Sequence, residues 1–248
     1  AHRSHGATGH RHSITGDNMT LLAKSLKAAR DNKRFLVGMS LLFAFRACIA
    51  DWSVVPSGSM NPTLVEGDTI LMNRLAYGVR VPATTVWLKR GAEPKRGDIV
   101  VFSSPEDGTK LVKRLIGLPG DVVEMRAEAL YINHQRVAYT PLPDVAPGTL
   151  LQATAALPHD LWAEVLPGRS HPVMVLPEVP ARRSFGPITV AADHYLMLGD
   201  NRDNSRDSRY FGLVPRANLI ARASHVAVSF DPDRWYLPRI ARIGKPLD

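Results

Sequence analysis

The chain has 248 residues, enough to bury a substantial core as one large domain or two small ones, and its single cysteine, Cys48, excludes an intramolecular disulfide. A hydrophobic content of 45% fits a folded protein, and a mean hydropathy of −0.10 excludes a polytopic membrane protein. The net charge of +8 could suggest a nucleic-acid ligand, but the basic residues are scattered and several flank an apolar segment. Anionic lipid is therefore the expected partner, and nucleic acid is not.

The N-terminal segment is of low complexity before it becomes basic. Residues 1–18 contain four histidines among Gly, Ser, Thr and Arg, which is typical of a disordered or artificially added leader, with Met19 as a natural start. Weak metal binding by these histidines is the less favoured alternative. Residues 19–34 form a basic segment that is predicted to be cytoplasmic. Its basic residues are Lys24, Lys27, Arg30, Lys33 and Arg34.

An apolar run follows from Phe35 to Ala50, interrupted only by Ser40 and Arg46. As a helix it would span ~24 Å against ~30 Å of bilayer hydrocarbon, which is short for a membrane-spanning helix. A cleaved signal peptide and a buried core helix are the alternatives, but a core helix does not explain a basic flank on one side only. The run therefore predicts a single transmembrane anchor over residues 35–51, with everything after it on the outer side.

From Val54 onward the sequence predicts a mainly β protein. Short apolar runs are bounded by Gly, Pro, Asp or Asn, and little between them predicts a long helix. The runs are Thr69–Asn73, Asp98–Phe102, Leu111–Gly117, Asp121–Met125, Leu130–Ile132, Tyr195–Leu198 and Leu219–Phe230. Residues 141–187 hold nine of the 19 prolines and few strong strand runs. They are predicted to be an inserted lobe within a catalytic domain made of residues 52–140 and 188–248.

Two residues of this β region have the chemistry of a hydrolase. Ser59 lies in Pro-Ser-Gly-Ser-Met-Asn-Pro-Thr (56–63), just after the apolar run, and Lys113 lies in the apolar run Leu111–Gly117. A serine hydroxyl needs a base to act as a nucleophile at neutral pH. The histidines outside the leader are isolated and no Gly-x-Ser-x-Gly elbow is present, so a Ser/His/Asp triad has no local support.

Lys113 can be the base only if its amine is neutral. An exposed lysine is deprotonated in about one molecule in 2,500 at pH 7, whereas burial disfavours the ammonium. Strand alternation puts Leu111, Lys113 and Leu115 on one face, which would supply apolar walls. Arg114 has apolar neighbours on the other face just as well, so alternation leaves open which basic residue points inward.

A third polar cluster, residues 199–209, reads Gly-Asp-Asn-Arg-Asp-Asn-Ser-Arg-Asp-Ser-Arg and follows the run Tyr195–Leu198. A plain polar turn is one interpretation; a calcium loop is another, but Arg202 and the missing central glycine do not fit an EF-hand. Its short hydrogen-bonding side chains suit residues that orient a catalytic group. No group outside the leader has metal-ligand spacing, so neither a metal nor a cofactor is predicted.

Together these segments resemble the signature blocks of bacterial type I signal peptidase, also called leader peptidase, a family of membrane proteases with a Ser/Lys dyad. The blocks, in the family's order, are Pro56–Thr63, Pro94–Phe102, Lys113–Asp121 and Gly199–Ser205. The resemblance implies an antiparallel coiled β-sheet catalytic domain, preceded by one N-terminal transmembrane helix in the bacterial inner (cytoplasmic) membrane. It places that domain on the periplasmic or extracellular side. There it would remove N-terminal signal peptides from exported preproteins after small residues, as in Ala-x-Ala sites.

The resemblance also implies a role for each residue of the catalytic group. Ser59 is the nucleophile, and Lys113 is the general base and then the general acid. The Ser59 backbone N–H and the Ser57 hydroxyl form the oxyanion hole. The Ser205 hydroxyl orients the Lys113 amine. Asp207 and Arg209 form an ion pair that braces the site.

Five residues are placed by the resemblance around the substrate pockets: Val55, Met60, Leu64, Leu111 and Val112. Leu111 stands where family members often have tyrosine, and Arg206 stands where they usually have a smaller or uncharged residue. The bound peptide is expected to add a strand to the edges formed by residues 52–58 and 109–113.

Three other interpretations compete with a general signal peptidase. A specialised pilin-maturing or conjugation-system peptidase would share the Ser/Lys machinery but cut a restricted substrate set, and the intact 199–205 block argues mildly against it. A self-cleaving repressor should show a helix-turn-helix and no anchor. An inactive membrane-tethered β module would bind partners without cleaving them.

Overall fold

The fold is built from short strands that pair with their neighbours in antiparallel fashion. The computed structural model describes residues 32–35, 37–39, 50–80, 84 and 86–247. Within these residues every pairing between named strands is antiparallel. The prediction of a mainly β protein is therefore confirmed.

The largest sheet has eight strands, and one of them carries Lys113. Their order across the sheet is β1 (Ala50–Val54), β2 (Asp68–Asn73), β16 (Leu219–Asp231), β5 (Ile99–Ser103), β6 (Lys110–Gly117), β14 (His194–Leu198) and β15 (Val214–Pro215), and β17 (Leu237–Pro238) pairs with β16. Five of the predicted apolar runs correspond to β2, β5, β6, β14 and β16. Three register shifts along β16 allow this long strand to bend and pair with both β2 and β5.

Three smaller sheets complete the β structure. The four-stranded sheet has the order β13 (Phe185–Thr189), β7 (Val122–Arg126), β8 (Ala129–Ile132) and β9 (Gln135–Arg136). The three-stranded sheet has the order β10 (Ala138–Pro141), β11 (Asp160–Leu166) and β12 (Arg169–Val175). The two-stranded sheet pairs β3 (Gly78–Arg80) with β4 (Trp87–Arg90).

Helical structure in the described residues from Ala50 onward is limited to single turns. The α-helical turns are α1 (Gln152–Ala155) and α2 (Ser208–Phe211). The 3₁₀ turns are η1 (Gly58–Met60), η2 (Arg216–Asn218), η3 (Pro232–Arg234) and η4 (Ile240–Arg242).

The predicted leader and most of the predicted anchor fall outside the described residues. Residues 33–35 and 37–39 are helical, and no described helix has the length and apolar character needed to cross a bilayer. Ala50 and Asp51, the last two residues of the predicted anchor, already belong to β1.

Residues 141–187 contain more strand than their proline content suggested. Strands β11 and β12 have seven residues each, while β10 and β13 cross the boundaries predicted at 141 and 187. Pro141, Pro172 and Pro187 all lie in strands at the edge of a sheet, where a missing N–H donor is tolerated. The described residues from Ala50 onward, these included, group as one compact unit.

Two hydrophobic clusters hold the segment that follows β1. Val55, Met60 and Leu64 are buried in a cluster with side chains of β2, β5 and β16. Val65, the next residue along, packs instead with Leu161 and other side chains of the three-stranded sheet region. The segment carrying Ser59 is therefore fixed between the main sheet and the three-stranded sheet.

Candidate active site

Ser59 lies in the middle of the 3₁₀ turn η1. The residue before this turn, Ser57, is extended. Met60 beside Ser59 is buried, and its carbonyl accepts a 3.0 Å hydrogen bond from the Leu64 N–H, which ties the turn to the core. The Ser59 side chain remains partly exposed. A rigid turn thus presents the hydroxyl at the boundary between core and solvent.

Gly58 is required by the close approach of two polar side chains. A Cβ atom at this position would lie 2.6 Å from both Asn61 Nδ2 and Glu66 Oε1. The glycine therefore lets the main chain of the turn pack against its own C-terminal flank. This explains in steric terms why the sequence around Ser59 reads Ser-Gly-Ser.

Lys113 on β6 reaches Ser59 from the main sheet. Its Nζ lies 2.6 Å from Ser59 Oγ, and only 3% of the residue is exposed. Burial lowers the pKa of the amine to about 8, although the nearby Asp207 and Asp200 carboxylates act in the opposite direction. A serine hydroxyl and a lysine that is readily neutral are thus in direct contact, which is the arrangement needed for proton transfer between them.

Arg114, the basic residue next to Lys113, is buried as deeply as Lys113 but makes different contacts. Its guanidinium donates to both oxygens of Asp200, at 2.8 and 2.7 Å, and to the Gly97 carbonyl at 2.9 Å. Thr63 completes the group with a 2.5 Å hydrogen bond to Asp200. Both basic residues are therefore buried, Lys113 against Ser59 and Arg114 against Asp200.

The polar 199–207 segment lies against the Ser59 turn. The Asn201 N–H donates to the Ser59 carbonyl at 3.2 Å, and Asn201 Nδ2 donates to the Gly58 carbonyl at 3.1 Å. A Cβ atom at Gly199 would lie 2.5 Å from the Ser59 carbonyl oxygen and 2.2 Å from Ser205 Oγ. Glycine at this position therefore permits the segment to touch the main chain of Ser59.

Asp207 and Arg209 form a buried bidentate pair. Arg209 Nε and Nη2 donate to the two carboxylate oxygens of Asp207, each at 2.8 Å. Asp207 also accepts from the Gly199 N–H at 3.0 Å and caps the first turn of α2 through the Arg209 N–H. The pair therefore joins the two ends of the 199–207 segment.

The two remaining serines of the predicted site differ in their surroundings. Ser57 is exposed, and its Oγ lies 3.5 Å from Ser59 Oγ. Ser205 is buried, and its hydroxyl has no hydrogen-bond partner in the described part of the chain. The structure therefore brings Ser205 to the site, against Gly199, without an observed contact to the Lys113 amine.

Comparison with known proteins assigns a family to this arrangement. A family model described as signal peptidase, peptidase S26, matches residues 30–228. The chain belongs to this family. Signal peptidase I of Pseudomonas aeruginosa is 37% identical over 228 residues, covering 86% of this chain and 77% of that protein. Signal peptidase I of Pseudomonas fluorescens is 36% identical over 227 residues, with the same shares covered.

A solved structure is also similar. A signal peptidase I from Enterococcus faecalis V583 is 34% identical and covers 53% of this chain and 97% of that chain, with a TM-score of 0.31. The family predicted from the signature blocks is confirmed, and the chain is an enzyme of the peptidase S26 family.

The structure brings together four of the five residues predicted for the substrate pockets of this signal peptidase family member. Val55, Met60 and Leu64 share one buried cluster, and Val112 packs against it. Leu111 packs against a different cluster, because adjacent residues of a strand point to opposite faces.

Sequence reasoning missed several residues that hold the site. Asp200 and Asn201 lie within a recognised block but had been given no role, and Arg114 had been considered only as a rival to Lys113. Glu164 and His171, from the three-stranded sheet, contact this block although they are distant in sequence. Nothing in the sequence pattern connects those two positions to residues 199–207.

Proposed function

We propose that the protein is a membrane-bound serine endopeptidase that removes N-terminal signal peptides from exported preproteins, with Ser59 as nucleophile and Lys113 as general base. The observation that carries the proposal is the 2.6 Å contact between a buried lysine of lowered pKa and a partly exposed serine hydroxyl. Membership of the peptidase S26 family and relatives named signal peptidase I support the substrate class.

In the proposed reaction the neutral Lys113 amine accepts the Ser59 hydroxyl proton while Oγ attacks the scissile carbonyl carbon. The Ser59 N–H and the Ser57 hydroxyl donate hydrogen bonds to the resulting oxyanion. The Lys113 ammonium then gives its proton to the departing amine, which becomes the N-terminus of the mature protein. Lys113 next takes a proton from water, whose oxygen attacks the acyl carbon. As the ester bond breaks, the Lys113 ammonium returns this proton to Ser59 Oγ, and the signal peptide leaves with a free carboxylate.

Substrate binding is proposed to use the open part of β6. Residues 110–113 pair with β5 on one side, whereas β14 pairs with β6 only from Arg114 onward. An extended peptide could hydrogen-bond along this stretch and bring its scissile bond to Ser59. The apolar group of Val55, Met60, Leu64 and Val112 would then receive the small side chains before the cut.

The direct test is cleavage of a preprotein in detergent by variants of the two reacting residues. Ser59→Ala should abolish cleavage, with a loss of up to about 10⁶-fold in kcat, as for other catalytic serines. Lys113→Arg should also abolish it, because a guanidinium stays protonated and cannot accept the hydroxyl proton.

Matched controls come from exposed residues of the same types. Ser170→Ala on β12 and Lys89→Arg on β4 should retain normal turnover, since both side chains are exposed and lie outside the proposed site. Normal turnover by Lys113→Arg with Ser59 still essential would rule out Lys113 as the base. Normal turnover by Ser59→Ala would rule out the whole scheme, and an inactive parent protein would favour a binding module.

A further inference from the structure

The three-stranded sheet contacts the 199–207 segment through a buried ionic cluster. Glu164 on β11 and His171 on β12 are cross-strand partners, and both are buried. Glu164 accepts a 2.7 Å hydrogen bond from Arg202 Nη2. His171 Nε2 lies 3.4 Å from Glu164 and 3.7 Å from Asp200, so the histidine sits between the two carboxylates.

The cluster is electrically balanced. Arg202 pairs with Glu164, and Arg114 pairs with Asp200. Burial, with a contribution from Arg114, lowers the pKa of His171 to about 4, so the imidazole is neutral at pH 7. Because these side chains are out of water, removal of one member would leave an uncompensated buried charge.

The main chain reinforces this contact. The Met174 N–H donates to the Asp200 carbonyl at 2.8 Å, and the Arg202 N–H donates back to the Met174 carbonyl at 2.8 Å. Arg202 Nε donates to the Gly199 carbonyl at 3.3 Å. Asp200 and Arg202, the residues on both sides of Asn201, are therefore held by main-chain hydrogen bonds to Met174 on β12. The Arg202 side chain is also held by Glu164 on β11.

Asn201 passes this constraint to the nucleophile. It lies between the two anchored residues Asp200 and Arg202, and it donates from its main chain and side chain to the carbonyls of Ser59 and Gly58. A shift of Arg202 would therefore shift the Ser59 turn relative to Lys113, which is fixed on β6 of the main sheet.

We propose that Glu164 is a positioning residue of the catalytic site, and that the three-stranded sheet serves to hold the Ser59 turn in register with Lys113. The proposal rests on the Ser59–Lys113 chemistry proposed above. Tyr139 on β10 donates a 2.6 Å hydrogen bond to the second oxygen of Glu164, which fixes the carboxylate plane. All three strands of the small sheet thus contribute to the orientation of Arg202, and none of these side chains touches the reacting atoms.

The test is the variant Glu164→Gln, which keeps the shape of the side chain and removes its charge. We expect kcat per folded enzyme to fall by roughly ten- to a hundredfold, because small misplacements of reacting groups have effects of up to that size. KM should change little, because the open stretch of β6 is untouched. Thermal unfolding of the same samples gives the folded fraction for normalisation.

The matched control is Glu124→Gln on β7. Glu124 is also a buried carboxylate paired with an arginine, Arg126, at 2.9 Å, but its pair lies in the four-stranded sheet. This control should keep the parent kcat. Equal kcat values for Glu164→Gln and Glu124→Gln, per folded enzyme, would overturn the proposal, as would an effect on KM alone.

A double variant covers the case in which Glu164→Gln does not fold. Glu164→Gln with Arg202→Gln removes both charges together and leaves no buried charge unpaired, so we expect it to fold. Its kcat should remain low, because the guanidinium contact with the Gly199 carbonyl is lost; a parent value would overturn the proposal.

The two proposals fail in distinguishable ways. Normal turnover by Ser59→Ala would rule out the proposed function, and with it the positioning role of Glu164. If Ser59→Ala is inactive and Glu164→Gln is fully active, the proposed function stands and only the positioning role of Glu164 is excluded.

Discussion

The pKa of Lys113 depends on two opposing effects, the burial of its amine and the charges around it. Burial is the largest influence and favours the neutral amine, as does Arg209, whereas Asp207 and Asp200 favour the ammonium. Each carboxylate already has an arginine partner, Arg209 for Asp207 and Arg114 for Asp200. The field of each carboxylate at the amine is therefore partly cancelled, and desolvation prevails.

The pH dependence of kcat/KM follows from this balance. The reaction needs the neutral amine, and the pKa of Lys113 is lowered to about 8. We expect kcat/KM to rise with pH up to about 8 and then level off, and to fall by about tenfold per pH unit below that range. Initial rates at low substrate concentration over pH 6–10 measure it. A profile that stays flat from pH 9 down to pH 6 would assign the base to another group.

Ser57 gives a second prediction at the same scale. Its hydroxyl is exposed and lies 3.5 Å from Ser59 Oγ. If it donates to the oxyanion, Ser57→Ala should lower kcat by about 10²–10³-fold and leave KM and thermal stability nearly unchanged. Steady-state kinetics with Ser170→Ala as the serine control would show this. An unchanged kcat would exclude the hydroxyl from the oxyanion hole.

Among the secondary-structure elements, the sequence predicted the strands that are marked by a continuous apolar run between turn-forming residues. The run Leu111–Gly117 coincides with β6, and Leu219–Phe230 with β16, because apolar residues between turn formers leave few alternatives. The strand β12 was not predicted, because its edge position tolerates a proline and polar residues, and β11 was not predicted, because charged residues interrupt its apolar pattern. Edge position is a property of the sheet, and it cannot be read from one segment.

The site shows the same division between local and tertiary information. Ser59 and Lys113 were recognised by their blocks, but the burial of Arg114 beside Lys113 was left open by alternation. It is settled by Asp200, which comes from a segment 86 positions away. The Glu164–Arg202 contact is likewise purely tertiary. Sequence pattern could single out the two residues proposed to react but not the groups that hold them.

The substitution Gly199→Ala tests the close approach between the 199–207 segment, which follows β14, and the Ser59 turn. Because a Cβ atom there would lie 2.5 Å from the Ser59 carbonyl oxygen, Gly199→Ala must displace one of the two main chains. We expect a loss of about 1–3 kcal/mol in the free energy of unfolding and a kcat lower by up to about a hundredfold. Urea unfolding and steady-state kinetics measure the two effects.

A glycine in open space supplies the control for this change. A Cβ atom at Gly38 would meet nothing within 4 Å, so Gly38→Ala should leave kcat unchanged. If Gly199→Ala behaved in the same way, the contact between the 199–207 segment and the Ser59 turn would not constrain the nucleophile.

At the scale of the whole molecule, Ser59, Lys113 and the three-stranded sheet belong to one compact unit. The Ser59 turn is only a few residues beyond β1, the first strand of this unit. In sequence, Ser59 therefore follows closely on the predicted anchor, residues 35–51.

The orientation of that anchor is the last prediction. Basic residues precede the apolar run from Lys24 to Arg34, and segments rich in lysine and arginine remain on the cytoplasmic side. We therefore expect residues 52–248 to face the periplasm or the cell exterior. Protease added to intact spheroplasts should degrade this region, while a cytoplasmic marker protein in the same sample survives. Replacement of the five basic residues of the flank by neutral ones should weaken or invert the orientation. Protection of residues 52–248 until the cells are lysed would show that the catalytic unit lies inside and would exclude this topology.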